Sequence, residues 1–159
     1  MNPLLVPATL LVASTLLAAC GPQYIKGTEI KYSDAKHEIA MVVERYRVAM
    51  EQQDVTALRS IASRDYYENG STTTDARDDY GYDGLERVFV DLENTVKAVK
   101  YKIEISQIDV MGSSATVNYD YESQFLYTVG ERDSWGTKSD KNRLTLRKEK
   151  GLWRILGGM

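Results

Sequence analysis

From Thr116 to Val129 the side chains follow a long alternating pattern. Val117, Tyr119, Tyr121, Ser123, Phe125, Tyr127 and Val129 fall on one face, and Thr116, Asn118, Asp120, Glu122 and Gln124 on the other. A period of two sustained over that length is a β-strand with one dry and one wet face, because successive side chains leave the pleat on opposite sides. The dry face has to be covered. The cover lies upstream, where the period changes. Ile39, Val42, Val43, Tyr46, Ala49 and Met50 recur at steps of three and four, which predicts a helix over 33–53 with one apolar face, an N-cap at Ser33 or Asp34, and Glu38 in the favourable first turn. Asp54 is a good N-cap for a short second helix over 55–62, striped by Val55, Leu58, Ile61 and Ala62. Leu85, Val88, Phe89, Leu92 and Val96 predict a third over 84–98.

The remaining segments fit around these. Asp65 to Glu68 reads as extended, Asn69-Gly70 as a turn, and 71–83, rich in breakers, as a loop. Tyr101, Ile103 and Ile105 alternate with Lys102 and Glu104, and the chain turns at Met111 to Ser114. A strand over 142–148 points Leu144 and Leu146 inward, Lys150-Gly151 turns it, and Leu152 to Leu156 closes the order. Three helices followed by an antiparallel meander make an α+β fold, with the helices packed on the dry sheet face.

Composition divides the chain near residue 20. Residues 1–19 hold no Asp, Glu, Lys, Arg or His, while all eleven tyrosines, both tryptophans and both phenylalanines follow the lone cysteine, Cys20. The apolar run over 3–19, broken by Pro7 and ending in small residues, is short for a bilayer span and reads as the core of an export signal. One cysteine makes no internal disulfide, and one cysteine with one histidine, His37, makes no structural zinc site. His37 reads as a surface residue. A net charge of −3 argues against nucleic acid, which needs a clustered basic surface. The acidic run Asp75, Asp78, Asp79 and Asp83 suggests calcium, but counting Asp79 as the first ligand puts Val90 where the bidentate glutamate belongs. No metal and no cofactor is expected.

Two resemblances follow from these residues. Leu17-Ala18-Ala19-Cys20 resembles the lipobox of bacterial lipoproteins, although Met1-Asn2 supplies no basic residue ahead of the apolar run. It implies cleavage after Ala19, lipid and often a further acyl chain on Cys20, and membrane anchoring in the cell envelope. Two or three chains make a stable anchor where one is marginal. Gly21, standing where an aspartate would signal inner-membrane retention, implies the outer membrane, and 20–32 becomes a lipidated tether to a domain over 33–159. In that setting Asn69-Gly70-Ser71 has only the form of a glycosylation site.

The second resemblance covers about 35–159. Val42-Val43-Glu44-Arg45-Tyr46, Ala49, Asp54, Asp65, Asn142 to Leu146 and Gly151-Leu152-Trp153-Arg154-Ile155 look like the nuclear transport factor 2-like superfamily, which includes SnoaL-like cyclases and ketosteroid isomerase. It implies a curved antiparallel sheet and helices enclosing a cone, whose open end holds a small apolar ligand. Tyr46 matches the position of the isomerase oxyanion-hole tyrosine. The isomerase base falls at Gly70, with Glu68 the nearest carboxylate, and its second aspartate falls near Asn142, with Asp140 two residues earlier. The pocket candidates are Tyr46, Met50, Tyr66, Glu68, Phe89, Tyr119 and Tyr121. The expected function is binding of a small apolar or amphipathic ligand or a protein partner, without catalysis. The alternatives are a small enzyme moving a proton between Tyr46 and Glu68, and an accessory subunit of an envelope complex; homodimerisation is in keeping with the resemblance.

Overall fold

The computed structural model describes residues 21–70 and 78–159. The predicted export signal, Cys20 and the first part of the predicted loop lie outside the described residues. Helix α1 (Asp34–Gln52) and helix α2 (Val55–Ile61) are followed by the two-residue strands β1 (Tyr67–Glu68) and β2 (Tyr80–Gly81), helix α3 (Tyr82–Thr95), and a meander of β3 (Ala98–Met111), β4 (Ser114–Val129), β5 (Arg132–Glu149) and β6 (Leu152–Gly157). The four long strands pair in sequence order, all antiparallel, and β1 pairs with β2.

The helices form where the spacing placed them, and their ends are fixed by side chains. Ser33, rather than Asp34, caps α1 by accepting from the Lys36 N–H, and Asp54 caps α2 through Ala57. The inward stripe of α1, Ile39, Val43, Tyr46 and Ala49, meets the concave sheet face carrying Tyr101, Val117, Tyr119, Leu144 and Ile155; all are buried. Complete burial of one such side chain stabilises by about 1.5–3 kcal/mol. Helix α1 also shields the open edge of β3. Glu51 accepts from the Tyr101 N–H at 3.2 Å and Arg47 donates to the Tyr101 carbonyl at 3.5 Å, so side chains occupy backbone groups that an exposed edge would offer to another chain. Arg59 on α2 ties to Glu86 on α3 at 2.7 Å.

Several boundaries differ from the sequence reading. The expected tether is structured from Tyr24: residues 24 and 31 form a bridge, the Ile25 N–H donates to the Ile30 carbonyl at 2.9 Å, and both isoleucines are buried in the core. Two apolar side chains flanking a turn suffice to seat this hairpin. Helix α3 begins at Tyr82 and ends at Thr95, and Ala98 already belongs to β3. Tyr80 and Gly81, read as loop, pair with β1. Strand β5 starts at Arg132 instead of Asn142, and its first half is exposed on both faces apart from Gly136, so no alternation marks it. Tyr127 and Val129, on the dry side of the pattern, are exposed because the β4–β5 hairpin extends past the helices that cover the face.

Candidate functional site

The concave side of the sheet holds two adjoining regions, one apolar and one polar. The apolar region is a cavity of about 310 Å³ between α1, α3 and β4, walled by Tyr46, Met50, Leu85, Phe89, Leu92 and Phe125, with Val88 and Thr95 at its margin and Met159 reaching in. The helical period that buries Phe89 and Leu92 also aims them at this space. Three of the predicted pocket residues, Tyr46, Met50 and Phe89, line it.

Behind the cavity lies a cluster of tyrosines. The Tyr46 hydroxyl meets that of Tyr101 at 3.4 Å, with the rings edge to face at 5.7 Å. Tyr121 packs 6.0 Å from Tyr101 and 6.1 Å from Tyr119. Burial drives the Tyr46 hydroxyl well above its ordinary range, and the neighbouring Tyr101 and Tyr119 push the same way. Tyr119 is raised by burial and then by Tyr101. These phenols are therefore neutral hydrogen-bonding groups. Tyr121 is half-buried beside the Lys138 ammonium, 5.9 Å from its ring centre.

The polar region gathers Tyr66, Glu68, Tyr119 and Asn142. Tyr66 donates to Glu68 Oε2 at 2.7 Å and stacks on Tyr80. Burial, followed by the bond to Glu68, raises the Tyr66 hydroxyl far above its usual range. The Gly158 N–H donates to the same carboxylate oxygen at 2.7 Å. Its carbonyl accepts from Tyr119 at 3.2 Å and from Asn142 at 3.1 Å, while the Met159 N–H donates to the Tyr66 hydroxyl at 3.1 Å. The acid–base pair of the alternative enzyme reading, Tyr46 with Glu68, is not formed: the hydroxyl meets Tyr101 and the carboxylate accepts from Tyr66 and Gly158. Gly70, at the position of the isomerase base, donates its N–H to Asp79 at 3.0 Å. Asp140 is exposed.

Sequence reasoning missed Asn142 as a contact and missed Gly157 to Met159 altogether. The signal available was the Gly157-Gly158 pair. A side-chain carbon on Gly157 would stand 2.7 Å from the Tyr67 carbonyl oxygen, and one on Gly158, at φ +90°, 2.0 Å from that of Arg143. Paired glycines at the end of a final strand mark such close backbone approach.

Outside the cone, a hollow of about 540 Å³ runs between the 24–31 hairpin, α1 and β3, with Lys26, His37, Glu44 and Glu104 on its walls. His37 is exposed, its ring 5.6 Å from Tyr32. Among the described residues no group of three or more His, Cys, Asp or Glu is placed to hold a metal ion, and no helix is long and apolar enough to cross a membrane. The outer sheet face is polar, with Asp120 paired to Lys141 at 3.0 Å and Lys102 to Glu104 at 2.5 Å.

No protein-family model matches the chain, and no curated protein matches it in sequence. Solved structures do match in shape. A conserved protein from Planctomyces limnophilus superposes with a TM-score of 0.67 at 14% identity, over 78% of this chain and 92% of that one. A nuclear transport factor 2-like superfamily protein from Salmonella enterica gives 0.64 at 17%, over 77% and 87%. A ketosteroid isomerase-like protein from Erwinia carotovora atroseptica gives 0.61 at 18%, over 80% and 95%. With its helices on the concave face of a four-stranded antiparallel sheet, the chain has the nuclear transport factor 2-like fold.

Proposed function

We propose that this chain is a lipid-anchored protein of the bacterial envelope whose cone binds a small apolar or amphipathic ligand without transforming it. The observation that carries the reading is the apolar cavity of about 310 Å³ between α1, α3 and β4, backed by neutral phenols. Small-molecule sites have this character: apolar walls, a few fixed polar groups and a volume from about 300 Å³ upward. The isomerase-type alternative is less well supported. A proton relay needs Tyr46 and Glu68 on one substrate, and Glu68 Oε2 instead receives Tyr66 and Gly158.

A thermal-shift panel of steroids, polyketides and fatty acids tests the binding reading. A ligand at about a hundred times its Kd adds about 2.7 kcal/mol of stability. Val88→Trp, on the exposed margin of the cavity, is expected to abolish that shift while leaving the melting temperature of the free protein close to wild type. No shift with any compound, together with a native mass spectrum showing the bare protein alone, defeats it. For the anchor on Cys20, palmitate labelling should mark the wild type and not Cys20→Ala; equal labelling sinks the proposal.

A further inference from the structure

Glu68 on β1, Tyr66 just before it, Tyr119 on β4 and Asn142 on β5 converge on one short piece of backbone. The Gly158 N–H has a carboxylate, its carbonyl has two donors, and the next N–H has a phenol. An N–H given to a carboxylate is a charge-assisted bond, and two donors occupy both lone pairs of the carbonyl. Gly158 contributes no side chain to this arrangement, and its φ of +90° and the nearby Arg143 carbonyl permit none. What is held is two successive amides: the Gly158 N–H belongs to the first, and the Gly158 carbonyl with the Met159 N–H to the second. Met159 is partly buried against the core and lines the apolar cavity with Tyr46, Phe89 and Phe125.

We propose that this polar region of the cone is a receptor for two successive secondary amides joined by one methylene and carrying a slim apolar arm, filled in cis by Gly158 and Met159, and that an outside ligand of this class enters by displacing them. The inference rests on the cone being a ligand site and names the chemistry it reads. An ester in place of the first amide has no N–H and leaves Glu68 with Tyr66 alone as donor; a carboxylate there meets Glu68 with like charge. Both are rejected on the side where an amide is accepted. Tethering gives the segment a high effective concentration, so a competing ligand must be strong or the segment must be loosened first.

The test uses acetyl-Gly-Met-amide, whose acetyl carbonyl stands for that of Gly157, and its depsipeptide, in which the N–H corresponding to Gly158 is replaced by oxygen. Calorimetry on a chain ending at Leu156 is expected to show peptide binding, with the depsipeptide weaker by about tenfold or more and Tyr119→Phe weakening the peptide by about fivefold. The intact protein should not bind the peptide, and intact Gly158→Ala should. Equal binding of peptide and depsipeptide overturns the proposal. So does a folded shortened chain that ignores the peptide, even if it still takes up panel compounds, in which case the cone reading survives alone. Should the shortened chain not fold, amide exchange in the intact protein decides: Gly158 and Met159 must be protected, and exchange at free-peptide rates rejects the seated segment on which the proposal depends. Peptide binding with no panel compound bound would retain this inference and reject the apolar-ligand reading.

Discussion

Gln53 closes one helix and finishes another. It sits in the left-handed region at φ 53°, where α1 ends, and its side-chain amide donates to the Leu92 and Val96 carbonyls at 2.9 and 2.6 Å, satisfying groups that α3 leaves open at its end. Gln53→Ala is expected to lower stability in urea by about 1–2 kcal/mol, and exposed Gln52→Ala by close to nothing. Helical spacing aims Tyr46, Met50 and Phe89 inward, and it was the resemblance that marked them as cavity residues. Gly158 was not legible, since its contribution is a bare peptide unit with no side chain to announce its chemistry. Asn142 falls between the two cases. The resemblance pointed to its position, and only the strand pairing, which sets it opposite Tyr119, shows what it reaches.

Strand β5 is two structures in one. From Thr145 to Glu149 it lies between β4 and β6, while from Arg132 to Leu144 its other side has no strand neighbour among the described residues. In an antiparallel pair alternate residues point their N–H groups toward the partner. Amide exchange should therefore alternate slow and fast over 132–141 and be uniformly slow over 145–149. Uniform protection over 132–141 would show that something else covers this edge. The sequence concealed the first half because a strand wet on both faces has no hydrophobic period. It displayed Leu144 and Leu146 because there one face enters the core. The helices, half-buried strands and antiparallel order were readable for the same reason. The 24–31 hairpin was hidden because Ile25 and Ile30 are too few to form a period, though enough to be buried.

At the scale of the whole molecule, stability should fall at both ends of the pH range. Glu149 is held below its ordinary value of 4.5 by Ser63 and Arg147, Glu86 by Arg59, and Glu38 by Lys148. Below about pH 4.5 the unfolded chain takes up protons that these native carboxylates refuse, so stability is lost as pH falls from there through their lowered values. The tyrosines act in the opposite direction. Tyr46, Tyr66, Tyr101 and Tyr119 are raised from 10.0, chiefly by burial, so above about pH 10 the unfolded chain releases protons that the native one keeps, and stability falls again. Ultraviolet titration should show these four ionising only as the protein unfolds. Smooth ionisation of all eleven tyrosines with circular dichroism unchanged would contradict their burial.

The hairpin over Tyr24 to Lys31 bears on the anchor. Because Ile25 and Ile30 are part of the core, only Gly21, Pro22 and Gln23 separate Cys20 from the packed domain. Three extended residues reach about 10 Å. A protein acylated at Cys20 would then have a leash shorter than its own radius, so it could neither swing freely nor reach far from the bilayer. Its hairpin side would be turned toward the lipid, and any ligand would have to be met at the membrane surface.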